Sequence, residues 1–348
     1  MSAVANPRAE APFSAATAAA GCANARRVLV NLWDGDFGPG YALTLMGHPV
    51  GPEMLGRKVT VSPEVDLRAA QVSATNAAGL RAATLYVADP EMTTLIDTAA
   101  PTMPDQHLAE TDLLSPDGFL WFPEPLPDRS GQPPTMPVAA LSWSLLPPDH
   151  PLLEERGDGE HPVVLIHSYA RMRDAPGFPG ADDPRLRGFP GLFPTSSTAW
   201  TMGSLIGSAY GQAPPSEQYA PGFYQRCLAA FWTLARQPLS SSADQPAGDR
   251  PARKKAARLG VARPDAPVHV ISLRRSARDV ADGAAQRTEG TGRKVSVRFA
   301  VRGFWRNQYL PSTKSHRQQW IEPHWRGPET GAIQGGERVF LAQGKKRS

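Results

Sequence analysis

Seven residues near the C-terminus combine two chemistries that single-stranded nucleic acid requires. Arg298, Arg302, Arg306, Arg317 and Arg326 carry fixed positive charge, and Trp305 and Tyr309 lie among them, with Trp320 and Trp325 close by in the chain. Guanidinium groups neutralise phosphates, and aromatic or guanidinium faces stack on unpaired bases. The same composition has a plainer use. Arginines that flank tryptophans on a small sheet cover the rings and keep an exposed strand soluble. Sequence alone leaves both readings open.

The element that must position these residues is a strand. Val295, Val297, Phe299 and Val301 alternate with Lys294, Ser296, Arg298 and Arg302, the period of two expected of a half-buried strand. If that strand ran on through Gly303, Arg298, Arg302 and Arg306 would line one face at intervals of roughly 13 Å. Trp305 shares the parity of Val301 and falls on the apolar side. Tyr309 to Ser312 begins a loop around Pro311. Gln318 to Glu322 reads as a return strand stopped by Pro323, and Glu337 to Ala342 as a third strand.

Four stretches occur in order along the chain: GFLWFPEP at Gly118–Pro125, ALSW at Ala140–Trp143, SLRR at Ser272–Arg275, and VRGFWRNQYLPS…HRQQWIEPHWRG at Val301–Gly327. Together they resemble a poorly characterised family of actinobacterial and phage proteins, and more distantly a type V-A anti-CRISPR family. The last string is the specific one. The resemblance implies a shared fold and regulation acting on nucleic acid or on nascent protein. It carries no catalytic residue. The family's histidine after V-R-G is Phe304 here, so no role for that side chain transfers.

Charge separates the two ends of the chain. The 348 residues carry a net charge of +4. Residues 251–348 hold 21 Lys/Arg against 7 Asp/Glu, a net +14, which leaves −10 on the first 250 residues. Such a split fits a C-terminal part that meets a polyanion, or one that docks on the acidic part of its own chain. Hydrophobic content of 41% supports a sizeable core. No apolar run reaches the roughly 20 residues of a membrane span, and Ala16 to Ala20 lacks the basic and apolar regions of a signal peptide. Two cysteines, Cys22 and Cys227, form no CxxC. A reducing cytoplasm fits, and neither a disulfide framework nor a cysteine zinc site is expected.

The expected fold class is α+β: a mixed N-terminal α+β region followed by a small basic, mainly antiparallel β module. Residues 1–25, Ala-rich with scattered Pro and Gly, are predicted to be disordered. An α+β domain is expected over 26–239. Within it Arg27 to Trp33 reads as a strand, closed by the turn residues of Asp34-Gly35-Asp36. Asp89-Pro90-Glu91 supplies an N-cap, a proline at the first position and a first-turn acid, so a helix should run to about Thr98. Gly118 to Phe122 and Pro137 to Leu145 form a predicted hairpin, and Pro162 to Tyr169 a buried strand. Phe223 to Arg236 is the clearest helix, its apolar stripe suited to core or partner packing. Residues 240–262 read as a flexible basic linker open to protease at Arg253, Lys254 and Lys255. Residues 263–348 form the basic β-rich module, beginning with the strand Val268 to Leu273.

No local signature of a catalytic site is present: no HxH, HExxH, P-loop, GxGxxG or GxSxG. His167, on an apolar strand, reads as a hydrogen-bonded core residue. No cofactor and no metal are expected. The leading function is a cytoplasmic binding or regulatory protein whose basic module contacts RNA or single-stranded DNA. The first alternative is a phage or mobile-element protein-interaction module in which the aromatic and arginine face is the hot spot. The second is a nuclease built from His316, His324, Glu322 and Arg306.

Overall fold

The computed structural model describes residues 13–48, 60–130, 136–156, 160–174, 191–206, 222–274, 297–301, 303–311, 315–326 and 332–333. The architecture is α+β. In chain order it contains helices α1 (Ala15–Asp34), α2 (Phe37–Leu45) and α3 (Pro63–Ala82), strand β1 (Thr84–Ala88) and helix α4 (Pro90–Ala99). The antiparallel run β2 (Asp117–Leu126), β3 (Val138–Leu146), β4 (Val163–Arg171) and β5 (Leu192–Thr201) follows. Helix α5 (Phe223–Ala235), strand β6 (Ser240–Gln245), helix α6 (Arg250–Arg258) and strand β7 (Val268–Leu273) complete the body. The C-terminal strands are β8 (Val297–Val301), β9 (Phe304–Leu310), β10 (Ser315–Ile321), β11 (His324–Arg326) and β12 (Ala332–Ile333).

Seven strands form one mixed sheet in the order β5-β4-β3-β2-β1-β7-β6. Strands β2, β1 and β7 run parallel at its centre, and the remaining pairs are antiparallel. Side chains of alternate parity feed two cores. Leu85 and Val87 point into the core under α1, α2 and α3. Tyr86 and Ala88 point to the other side, into the core shared with α4 and α5.

Several sequence expectations hold. Asp89 caps α4, accepting from the Met92 amide at 2.7 Å, and Pro90 opens the helix. The β2–β3 hairpin, β4, α5 and β7 form where predicted.

Others are corrected. The expected disordered tail includes the first half of α1. Ser14 caps that helix, and Ala18, Ala19, Cys22 and Ala25 are buried. The predicted strand Arg27 to Trp33 is the second half of α1. Small side chains let α1 lie close against α3, where Ala69 and Ala77 are buried in the same core, so burial decides a segment that composition alone reads as low-complexity. Cys22 therefore sits in the core with its Sγ 3.6 Å from the Tyr86 carbonyl oxygen, and burial pushes its thiol up. The expected flexible linker 240–262 is an ordered edge strand, β6, followed by α6, which Asp249 caps by accepting from the Ala252 amide at 2.8 Å. The expected domain boundary falls away with it, because β7 lies inside the main sheet beside β1.

His167 is buried as expected, but among the described residues neither ring nitrogen has a hydrogen-bond partner. Burial pushes its pKa from 6.5 down to about 3. The unfolded chain takes up a proton below about pH 6.5, whereas the folded chain stays neutral. Stability is thus fully present above that pH and declines as pH falls toward 3, by up to about 1.4 kcal/mol per pH unit. Urea unfolding of wild type and His167→Phe at pH 7 and pH 5 checks this: the wild type should lose more stability than the variant on acidification, and equal losses would contradict it.

Candidate nucleic-acid interface

The site begins at a break. Strand β8 does not run on through Gly303. It ends at Val301, and β9 starts at Phe304 in a different sheet. Strand β8 pairs with β11 and β12, whereas β9 pairs with β10. The continuous row Arg298–Arg302–Arg306 expected from parity is therefore not formed. Arg298 lies on β8 and Arg326 on β11, Arg302 is outside the described residues, and Arg306 belongs to β9. The expected third strand at Glu337 to Ala342 also lies outside the described residues.

The return strand does form. In the β9–β10 hairpin Trp305 pairs with Trp320, Arg306 with Gln319, Gln308 with Arg317 and Tyr309 with His316. Directly opposed residues share a face, so one face carries Trp305, Trp320, Asn307, Gln318, Tyr309 and His316. The other carries Phe304, Arg306, Gln308, Arg317, Gln319 and Ile321.

The first face holds the hairpin to the body at its base. Trp320 is 2% exposed and belongs to the α4–α5 core, with Trp305 packed beside it. Their rings meet edge to face with centroids 5.2 Å apart, a favoured aromatic geometry. The Trp305 indole N–H donates to the Ala99 carbonyl at 2.9 Å. Ala99 is the last residue of α4, where carbonyls lack intrahelical partners, so the indole helps to cap that helix. Gly303 makes the approach possible, because a Cβ there would lie 2.4 Å from the Trp320 ring. That contact gives the glycine of the V-R-G string a physical reason. Packed this way, half-buried Trp305 anchors the hairpin to the body.

The second face and the hairpin tip stay open. Phe304 is 43% and Tyr309 46% exposed, two of the five exposed large apolar side chains among the described residues. Arg306 and Arg317 are both exposed. They occupy diagonal positions across the pair, roughly 7–8 Å apart. Arg306 donates to the Gln319 side-chain oxygen at 3.2 Å, and neither arginine forms an ion pair among the described residues. Tyr309 lies against His316 with ring centroids 5.1 Å apart. Arg236, which follows α5, extends the positive charge. Burial first and the nearby Arg317 second lower its pKa, while it donates to the Leu113 carbonyl at 2.7 Å.

A second basic surface was legible only as composition. On α6, Arg250, Lys254, Lys255 and Arg258 are exposed, whereas Arg253 pairs with Asp265 at 3.0 Å. Leu259, just past this helix, packs into the α1–α3 core, so α6 sits on the side of the sheet away from the hairpin.

The residues of the nuclease reading are not drawn into one centre. His316, on β10, meets the Tyr309 ring at a tilt, and His324, on β11, has its Nδ1 3.0 Å from the Glu322 carbonyl oxygen. Among the described residues no group of three or more His, Cys, Asp or Glu is arranged to hold a metal, and no helix is long and apolar enough to cross a membrane. Comparison with protein-family models, curated proteins and solved structures finds no match.

The docking geometry sets two expected outcomes. Trp320→Ala should destabilise the whole body by about 3–5 kcal/mol, because it empties part of the α4–α5 core. Gly303→Ala should cost about 1–3 kcal/mol through overpacking against the indole. Urea melts followed by far-UV circular dichroism measure both. A body whose transition ignores Trp320→Ala would show the hairpin to be energetically separate.

Proposed function

We propose that the protein binds single-stranded nucleic acid, RNA or single-stranded DNA, through the open face and tip of the β9–β10 hairpin. The observation that carries this reading is the placement of exposed Phe304 beside exposed Arg306 and Arg317 on one face, with exposed Tyr309 on the other face near the tip, on a strand pair anchored at its base by its tryptophans. Arginines bind the phosphates, and the rings stack on successive bases, a contact tolerant of sequence because every base offers a π face. The net +14 of residues 251–348 supplies the long-range attraction. The role is one of binding and regulation. The resemblance to phage-linked and anti-CRISPR proteins belongs to the alternative, a protein-interaction module. Among the described residues the outer edges of β9 and β10 pair with no other strand, which favours a protein partner that adds a strand as the second reading.

Fluorescence anisotropy with labelled oligo-U and oligo-dT distinguishes them. The full-length chain should bind at about 50 mM salt, with affinity falling steeply as salt rises. Replacing Arg306 and Arg317 together with Gln should flatten the log–log salt slope by about 1.4 units, since each lost phosphate contact removes roughly 0.7 for single strands. Tyr309→Ala should cost about 1–3 kcal/mol of binding with little change in that slope. Absence of binding by the folded wild type to either oligomer would overturn the reading in favour of the protein partner.

A further inference from the structure

Helix α6 carries charge that the hairpin reading does not use. At 3.6 residues per turn, Arg250, Lys254, Lys255 and Arg258 fall within an arc of roughly 140°, on the far side of the helix from buried Ala256. All four are exposed. Arg250, Lys254 and Arg258 follow one another at i, i+4 and i+8, spacings at which like charges destabilise a helix. Lys255 and Arg258 lie in the last turn, where cations suit the helix dipole. Arg250 opens the helix, at the positive end of that dipole, where a cation is unfavourable. The nearby carboxylates do not relieve it. Asp249 caps α6 through the Ala252 amide, Asp265 pairs with Arg253 at 3.0 Å, and Asp34 pairs with Arg81. Among the described residues none of the four cations in the arc forms an ion pair.

The fold brings this arc to the same end of the sheet as the hairpin. Helix α4 leaves the C-terminal end of β1 and returns toward its start. Its ten residues rise about 15 Å, close to the roughly 16 Å of the five-residue strand, so Ala99 lies level with the beginning of β1. The Trp305 indole binds there. On the opposite face, Arg81 near the end of α3 lies just before β1. Its carbonyl accepts from the Ala262 amide at 3.2 Å, and its Nε donates to the Leu259 carbonyl at 2.7 Å. These bonds fix the C-terminal end of α6. Arg263 is exposed on the loop from α6 to β7, and β7 starts at the same end as β1, its parallel neighbour. Hairpin and α6 thus flank one end of the sheet, each on its own face.

We propose that α6 is a second phosphate-binding surface, and that one single strand of RNA or DNA runs from the hairpin around this end of the sheet onto α6. The proposal rests on the single-strand reading of the hairpin and extends its footprint. A duplex, with a persistence length of about 150 bp, is too stiff for that turn. Helix α6 has no aromatic side chain, so its contacts are to phosphates and carry no sequence preference.

The test uses the full-length chain and labelled oligo-dT of about 8 and about 24 nucleotides, the shorter within the footprint of one small binding face. Anisotropy is read across a salt series around 0.1 M, where a Debye length of about 10 Å screens the hairpin from the field of α6. Wild type should bind the longer strand more tightly and with the steeper salt slope. Replacing Arg250, Lys254, Lys255 and Arg258 together with Gln should flatten that slope by about 2–3 units, at roughly 0.7 per lost contact, and leave the shorter strand unaffected. Arg250→Lys with Arg258→Lys keeps the charges and should keep both slopes. If the fourfold variant loses its fold, Arg250→Gln with Lys254→Gln decides the matter, with a flattening of about 1.4 units. A longer strand indifferent to these Gln variants, or an equal loss for both lengths, overturns the proposal and leaves the hairpin reading standing where wild type binds the shorter strand. No binding of either length to wild type overturns both.

Discussion

The structure depends on the covering of α5 from two directions. Phe223, Cys227, Phe231 and Leu234 are buried, and so are Leu228, Trp232 and Tyr224, so the apolar surface wraps around the helix instead of forming one stripe. A helix of that kind must be enclosed on all sides. The sheet supplies one cover through Trp143 and Trp200, whose rings meet Trp232 at 5.4 and 6.5 Å. The hairpin supplies another through Trp320. The C-terminal strands are thus part of the hydrophobic core, although their composition reads as a separate basic module.

This arrangement decides a question of charge. The net −10 of the first 250 residues against the +14 of the rest admits electrostatic docking between the two ends of the chain. The hairpin does dock on the body, but it does so through an indole pair and one indole-to-carbonyl hydrogen bond. Exposed ion pairs contribute little, typically 0–1 kcal/mol, whereas a buried tryptophan removes a large apolar area from water. Among the described residues apolar contact does the holding, and Arg306 and Arg317 stay exposed.

How much of this was legible follows from which physical signal each element uses. Helix α4 announced itself through Asp89 and Pro90, and β4 through its apolar run, because caps and periodicity are local. Helix α1 did not, because the inward residues of its first half are mostly alanines, and their helical stripe has meaning only against the small residues of α3. Residues 240–262 misled for a related reason. Ser240 to Gln245 carries no strand pattern of its own and is held as an edge by β7 alone, so register rather than propensity makes it a strand. At the candidate site the alternation around Trp305 was readable. The interruption at Gly303 was not, since its cause is the Trp320 ring, 17 positions away in the chain.

The hairpin gives its two parities different surroundings. A strand pair has a period of two, so a single segment can present unrelated surfaces to its two sides. At the base, the parity of Trp305 and Trp320 goes inward and fixes the element. The opposite parity, with Phe304, Arg306 and Arg317, is thereby held outward on a scaffold whose orientation is set by the core. Phe304 belongs to this outward set and adds an aromatic ring beside Arg306 without disturbing the anchor. Rigid anchoring also lowers the ordering cost that a flexible basic tail would meet on binding. An arginine and aromatic face built on a core-locked hairpin is therefore better suited to a defined contact than the same residues on a flexible basic tail would be.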